Sequence, residues 1–293
     1  MLQGSIVAIV TPMHEGGAID KKSLHSLVEW HIASGTQGIV VAGTTGESST
    51  LTSDEQIDLI ATVVKQVHQR IPVIAGCGSN ATQHAIQLSL QAQKAGADAG
   101  LIVTPYYNKP TQNGLYEHYK AIAAAVSFPI ILYNVPGRTA CDLLPETIER
   151  LATFSNIVGV KEATGKIERA TEILKRCGEK FTIFSGDDAT AMDLMLEGAK
   201  GVISVTANIA PRKMQDLCEA LRTGNPTLAL KLNSELMLLH KNLFLESNPT
   251  PTKWALHEMG LIPAGIRLPL LPLDATFHNE VRQAMTLAGA KSQ

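Results

Sequence analysis

Lys161 closes the apolar run Ile157-Val158-Gly159-Val160. A charge in such a place must be paired or neutralised. Burial favours the free amine over the ammonium, and a free amine attacks carbonyl carbon to form an imine. The competing reading is a strand-end lysine paired with the adjacent Glu162. Tyr133 ends the preceding apolar run, 130–133. A buried phenol needs a partner, and beside a reacting amine it can move protons. The plainer alternative is a core tyrosine bonded to backbone. Thr44 and Thr45 lie in the turn Gly43-Thr44-Thr45-Gly46-Glu47. That turn either offers hydroxyls and amides to a small carboxylate or simply opens a helix. Arg138, in Pro136-Gly137-Arg138-Thr139, can grip a carboxylate with two parallel bonds. Most loop arginines are solvated instead.

Other patterns point away from metals and nucleotides. Gly76-Cys77-Gly78-Ser79-Asn80-Ala81 has the loose form of a dinucleotide loop. Asp98, the only acid at a suitable distance, precedes the next run rather than ending one, so the ribose role is not expected. Asp187-Asp188 lacks a third ligand and reads better as helix capping. The cysteines, Cys77, Cys141, Cys177 and Cys218, form no CxxC pair, and the histidines form no HxxxH pair. No metal site and no cofactor are expected. Lys plus Arg is 25 against 27 for Asp plus Glu, which leaves no basic field for nucleic acid. No apolar run reaches the roughly 18–20 residues of a membrane helix. The first residues carry no basic stretch ahead of an apolar one, so a cytoplasmic protein is expected.

The elements that must position these residues alternate regularly. Apolar runs fall at 6–10, 38–41, 72–75, 100–103, 130–133, 157–161, 182–184 and 201–205. They are nearly continuous in Val, Ile, Leu and Ala, as parallel strands buried on both faces are. Between them, Leu24, Leu27, Val28 and Ile32 keep the spacing of a helix face, as do Ile57, Ile60, Ala61 and Val64, and Ile167, Ala170, Ile173 and Leu174. Gly35, Gly96 and Gly198 each stand between a helical pattern and a run, where a left-handed helix cap belongs. Ser53 to Gln56 has the form of a capping box, and Pro211 suits a first helical turn. Eight strand–helix units point to an α/β fold, a (β/α)8 barrel over residues 1–223, with an open doubly wound sheet as the alternative. Beyond Gly224-Asn225-Pro226 the strand signal stops. Residues 224–293 read as a C-terminal helical domain, with helices at 227–245, 252–259 and 275–287 joined by proline-rich stretches at 248–251 and 263–272.

Taken together, Gly43-Thr44-Thr45-Gly46-Glu47, residues 133–139 and Gly159-Val160-Lys161-Glu162 resemble the signatures of the pyruvate-dependent class I aldolases. Within that group the chain is similar nearly end to end to the dihydrodipicolinate synthase family, since residues 4–12, 104–110 and 204–208 also fit. The resemblance implies a TIM barrel with a C-terminal helical domain, assembled as a homotetramer (a dimer of dimers). It implies a lyase that condenses pyruvate with L-aspartate 4-semialdehyde at the entry to the diaminopimelate and lysine branch, with no cofactor. Lys161 would form the Schiff base. Tyr133 would shuttle protons with Thr44 and Tyr107, the second tyrosine coming from a neighbouring subunit. Thr45 and the backbone at Ile203 would hold pyruvate, and Arg138 the semialdehyde carboxylate. An iminium ion is an electron sink, so such a mechanism needs no metal. A sister aldolase such as an N-acetylneuraminate lyase, or a barrel that has lost activity and serves in binding, remains the alternative; Arg138 in its loop favours the synthase.

The resemblance also bears on regulation. Lysine-inhibited members bind lysine at a subunit interface, and the positions similar to that site are Ser48, Ser49, Leu51, Ser53, Gln56, Asn80, His84 and Tyr106. Ser48, Asn80 and Tyr106 match the inhibited pattern. Ser53 and Gln56 stand where histidines are often found, and His84 stands in the place of a glutamate that would pair with the lysine ammonium. Feedback inhibition is therefore expected to be weak or absent.

Overall fold

Strands without polar alternation are stable only where both faces are covered, and a closed barrel ringed by helices covers both. The computed structural model describes residues 2–290, and in it the eight runs form β1 (Gly4–Ala8), β2 (Gly38–Val41), β3 (Val73–Gly76), β4 (Ala99–Val103), β5 (Ile130–Asn134), β6 (Ile157–Glu162), β7 (Thr182–Ser185) and β8 (Gly201–Ser204). All are parallel and follow chain order round a closed ring. The pairing of β8 with β1, from Gly4↔Gly201 to Val7↔Ser204, closes it and excludes the open sheet. The seam is tight: a Cβ on Gly201 would lie 2.1 Å from the Gly4 carbonyl oxygen.

Side chains split by face. Ile6, Ile74, Leu101, Ile131, Phe184 and Ile203 plug the barrel interior. Val7, Ile39, Val41, Ile130 and Val160 point outward into the larger core beneath the helices. That outer layer is supplied by α1 (Lys21–Ala33), α2 (Ser53–Val67), α3 (Thr82–Lys94), α4 (Gln112–Ala125), the single turn α5 (Pro136–Thr139), α6 (Pro145–Leu151), α7 (Ile167–Cys177), α8 (Ala191–Leu196) and α9 (Pro211–Arg222). Pro211 opens α9 as expected. Gly35, Gly96 and Gly198 take φ of 86°, 90° and 113°, the left-handed values required where each helix turns back into a strand.

Two local expectations shift. The first strand starts at Gly4 and ends at Ala8, because the Val10 N–H leaves the ladder for the Asn208 side-chain oxygen. The capping box of α2 lies one residue earlier: Thr52 Oγ1 accepts the Glu55 N–H, and Glu55 Oε2 accepts the Thr52 N–H. Ser53 Oγ is free to bond His84 instead.

After α9 come α10 (Pro226–Asn242), α11 (Thr250–Glu258) and α12 (His278–Leu287). Residues 275–277, expected within the last helix, form a tighter 3₁₀ turn capped by Asp274. Residue 1 and residues 291–293, included in the expected domain spans, lie outside the described residues. Among the described residues, no helix is long and apolar enough to cross a membrane.

Candidate active site

The register between β5 and β6 slips between Ile130 and Ile131, pairing Ile130 with Ile157 but Ile131 with Gly159. Such an irregularity re-aims every side chain beyond it. Here it turns Lys161 inward and Glu162 outward. Lys161 is paired in register with Tyr133 on one side and Phe184 on the other. It is 6% exposed, and its Nζ lies 4.3 Å from the centroid of the Tyr133 ring. An aromatic face attracts a cation without neutralising it. Glu162 does not take the partner's part: Oε2 accepts from Asn134 Nδ2 at 3.1 Å and Oε1 from the Thr164 N–H at 2.7 Å. Burial raises the Glu162 pKa against those bonds.

Above Lys161 opens a cavity of about 160 Å³, walled in part by Thr44, Thr45, Tyr133, Arg138, Lys161 and Asn248. Small residues make the space. A Cβ on Gly76 would fall 2.2 Å from the Ala42 carbonyl oxygen, and one on Gly186 would fall 2.6 Å from Ala163 Cβ and 3.0 Å from Lys161 Cε. Thr45 is 2% exposed and its Oγ1 accepts from Asn248 Nδ2 at 3.0 Å, which leaves the hydroxyl proton for another acceptor. Arg138 stands on the short turn α5 and donates from Nη2 to the Asn248 carbonyl at 3.3 Å. An amine, a phenol, two hydroxyls and a guanidinium thus converge on one small space. That set suits a small keto acid: the amine for its carbonyl and the donors for its carboxylate.

Lys161, Tyr133, Thr44, Thr45 and Arg138 line this one cavity, and Ser48, expected among the effector positions, lines it too. The Ile203 side chain is 1% exposed within the interior plug, so only its backbone is left for the expected role, and Val205 lines the cavity from that side. Tyr107 is 89% exposed at φ 72° and is not on the wall of its own chain's cavity. The other expected effector positions are not on the cavity wall. His84 joins Ser53 Oγ through Nε2 (3.1 Å) and Ser79 Oγ through Nδ1 (3.3 Å). Gln56 Nε2 donates to the Ser48 carbonyl and Asn108 Nδ2 to the Asn80 carbonyl. Ser49 is exposed, and Tyr106 is 42% exposed. Asp188 is not a helix cap: Oδ2 accepts the Val205 and Thr206 N–H groups, both at 2.9 Å. Asn248 and Gly186 were missed as site residues. Asn248 lies in a proline-rich connection with no local signal, and the need for Gly186 appears only once β6 and β7 are side by side.

A family model described as the dihydrodipicolinate synthetase family matches residues 1–288. The chain belongs to that family. It is 58% identical over 289 residues to the 4-hydroxy-tetrahydrodipicolinate synthase of Pseudomonas aeruginosa, covering 99% of each chain. The same enzyme of Methylococcus capsulatus is 59% identical over 289 residues, again with 99% of each chain covered. Among solved structures, a chloride-inhibited dihydrodipicolinate synthase from Acinetobacter baumannii, complexed with pyruvate, superposes with a TM-score of 0.98 at 54% identity. That match covers 99% of this chain and 100% of the other.

A Cβ at position 186 would crowd Ala163 and the Lys161 side chain, and Gly186 leaves that space open. Gly186→Ala should slow the reaction of the Lys161 amine with a keto acid by about 10- to 100-fold, the cost of a misplacement on the ångström scale. The rate of reductive labelling with borohydride measures this, with circular dichroism confirming the fold. Labelling at the parent rate would show that Lys161 and Ala163 yield without cost.

Proposed function

We propose that the chain is a Schiff-base lyase that condenses pyruvate with L-aspartate 4-semialdehyde to give 4-hydroxy-tetrahydrodipicolinate. The observation that carries this is the buried Lys161 amine, laid on Tyr133 at the foot of a cavity rimmed by Thr44, Thr45 and Arg138. The Lys161 amine adds to the pyruvate carbonyl and water leaves, giving an iminium ion. The iminium draws off electrons from the methyl C–H bond, and the proton passes to Tyr133. The enamine carbon then attacks the aldehyde of the second substrate. The amine of that substrate displaces Lys161 from the imine carbon, which closes the ring and frees the enzyme. Thr45 holds the pyruvate carboxylate and Arg138 the carboxylate of the semialdehyde. Thr44 continues the proton path from Tyr133, and Tyr107 completes it in a neighbouring copy; its exposure supports that reading. On this reading the chain is cytoplasmic and works as a homotetramer. The barrel, 1–223, supplies the amine, and the helical domain, 224–293, supplies the closing wall at Asn248.

Incubation with pyruvate and borohydride should add a pyruvate-derived mass to the Lys161 peptide, and Lys161→Arg should take up none. Mass on a different lysine overturns the mechanism. For Arg138→Ala, the KM for the semialdehyde should rise at least about tenfold more than that for pyruvate, since only one substrate loses its bidentate partner. Equal rises would remove Arg138 from second-substrate binding.

Lysine should inhibit weakly or not at all. At His84 an imidazole held by two serine hydroxyls stands where the ammonium would need a carboxylate. Losing one charge-assisted bond costs about 1.5–3 kcal/mol, or about 10- to 150-fold in affinity. A lysine titration at fixed pyruvate tests this. Half-inhibition in the sub-millimolar range would refute it, and a gain of sensitivity in His84→Glu is the supporting result.

A further inference from the structure

Glu47 and Lys253 form an ion pair with side-chain exposures of 0% and 4%. Neither lines the cavity, yet both bear on its wall. Glu47 ends the Gly43–Gly46 turn at φ 59°, a left-handed conformation that a residue with a Cβ adopts only at a cost. Its N–H donates to the Thr44 carbonyl at 3.1 Å, and the Ser48 N–H donates to the Gly43 carbonyl at 3.2 Å. Whatever fixes Glu47 therefore fixes Thr44 and Thr45. Lys253 holds Oε1 and the Arg267 N–H holds Oε2. Arg267 is itself anchored by two bonds to Glu55 and by bonds to the Thr50 and Gly17 carbonyls. Burial pushes the Lys253 pKa down, and Glu47 opposes it. From the same stretch of chain, Asn248 bonds Thr45 Oγ1. A buried pair is a poor source of stability compared with apolar packing, but it specifies geometry, since each charge has only one satisfactory place.

We propose that Lys253 is a positioning residue for keto-acid binding: acting through Glu47, it holds the Thr44–Thr45 turn in the shape that grips the pyruvate carboxylate. The proposal rests on the reading of Lys161 as the imine-forming lysine. It differs from simple docking of α11 on the barrel, which predicts lost stability with unchanged pyruvate affinity in every molecule that remains folded.

The decisive variant is Glu47→Gln/Lys253→Met, which leaves no unpaired charge behind. Lys253→Arg, which keeps the charge but alters the geometry, and Lys253→Met alone accompany it. Apparent dissociation constants for pyruvate are read from borohydride trapping across a pyruvate titration, with melting temperatures from circular dichroism. The double variant should still be trapped at Lys161 at saturating pyruvate, with its apparent constant raised about 10- to 100-fold. Lys253→Arg should fall between it and the parent. A parental pyruvate constant in any folded variant overturns the proposal, whatever its melting temperature. Absence of trapping in the parent protein instead overturns the reading of Lys161 itself.

Discussion

An amine placed at the top of an apolar barrel loses hydration that only a partner can replace, and that constraint organises the site around Lys161. The plug beneath it is hydrocarbon and aromatic: Phe184, Ile203 and the Tyr133 ring. The carboxylates at the end of β6 and just beyond β7 are committed elsewhere. Glu162 serves Asn134 and the Thr164 N–H, and Asp187 Oδ2 takes the Thr190 N–H and hydroxyl. The Lys161 amine is thus left facing the cavity with only the Tyr133 ring against it. On the proposed reading, a keto-acid carboxylate held by the rim donors would be the counter-charge for the iminium.

The rim depends on parts of the chain remote in sequence. Thr45 is bonded by Asn248, 203 residues away, and Glu47 by Lys253, 206 residues away. A strand end alone fixes a side chain's direction but not the shape of the loop beyond it. Here the loop after β2 is held from the barrel by Thr11, whose hydroxyl donates to the Gly46 carbonyl at 2.7 Å, and from the helical segment by Asn248 and Lys253. Its left-handed Glu47 is over-determined from both sides, which is how a strained residue persists.

What could be read in advance follows from the range of the interactions. Strands announce themselves through near-continuous apolar composition, and their C-terminal ends gave Lys161, Tyr133, Thr44 and Thr45 directly. The closure of the ring rests on Gly4 meeting Gly201, a contact that no local pattern encodes. The α2 cap lies one residue earlier than expected because Glu55, three residues after Thr52, closes the reciprocal box, while the Ser53 hydroxyl bonds His84. Asn248, Lys253 and Gly186 carried no signal because each acts through a neighbour brought in by the fold. At the end of β8 the pleat puts the Ile203 side chain into the plug and leaves its backbone, not its side chain, for the expected role, while Val205 lines the cavity.

Tyr107 raises a separate question of economy. A residue with a Cβ at φ 72°, with its ring 89% exposed and beside Tyr106 at 42%, gains little from its own chain. Its neighbour Lys109 is also left-handed, at φ 44°. Tyr107 of the aromatic pair and Lys109 two residues on are both left-handed, although Asn108 between them ties the loop down at the Asn80 carbonyl. Strain of this kind is retained where surrounding structure holds it. A second copy that covered the loop would bury the rings and bring the Tyr107 hydroxyl to a cavity whose own wall has Tyr133 and Thr44 but not Tyr107. Proton transfer and assembly would then depend on the same loop, so a change that loosened one would impair the other.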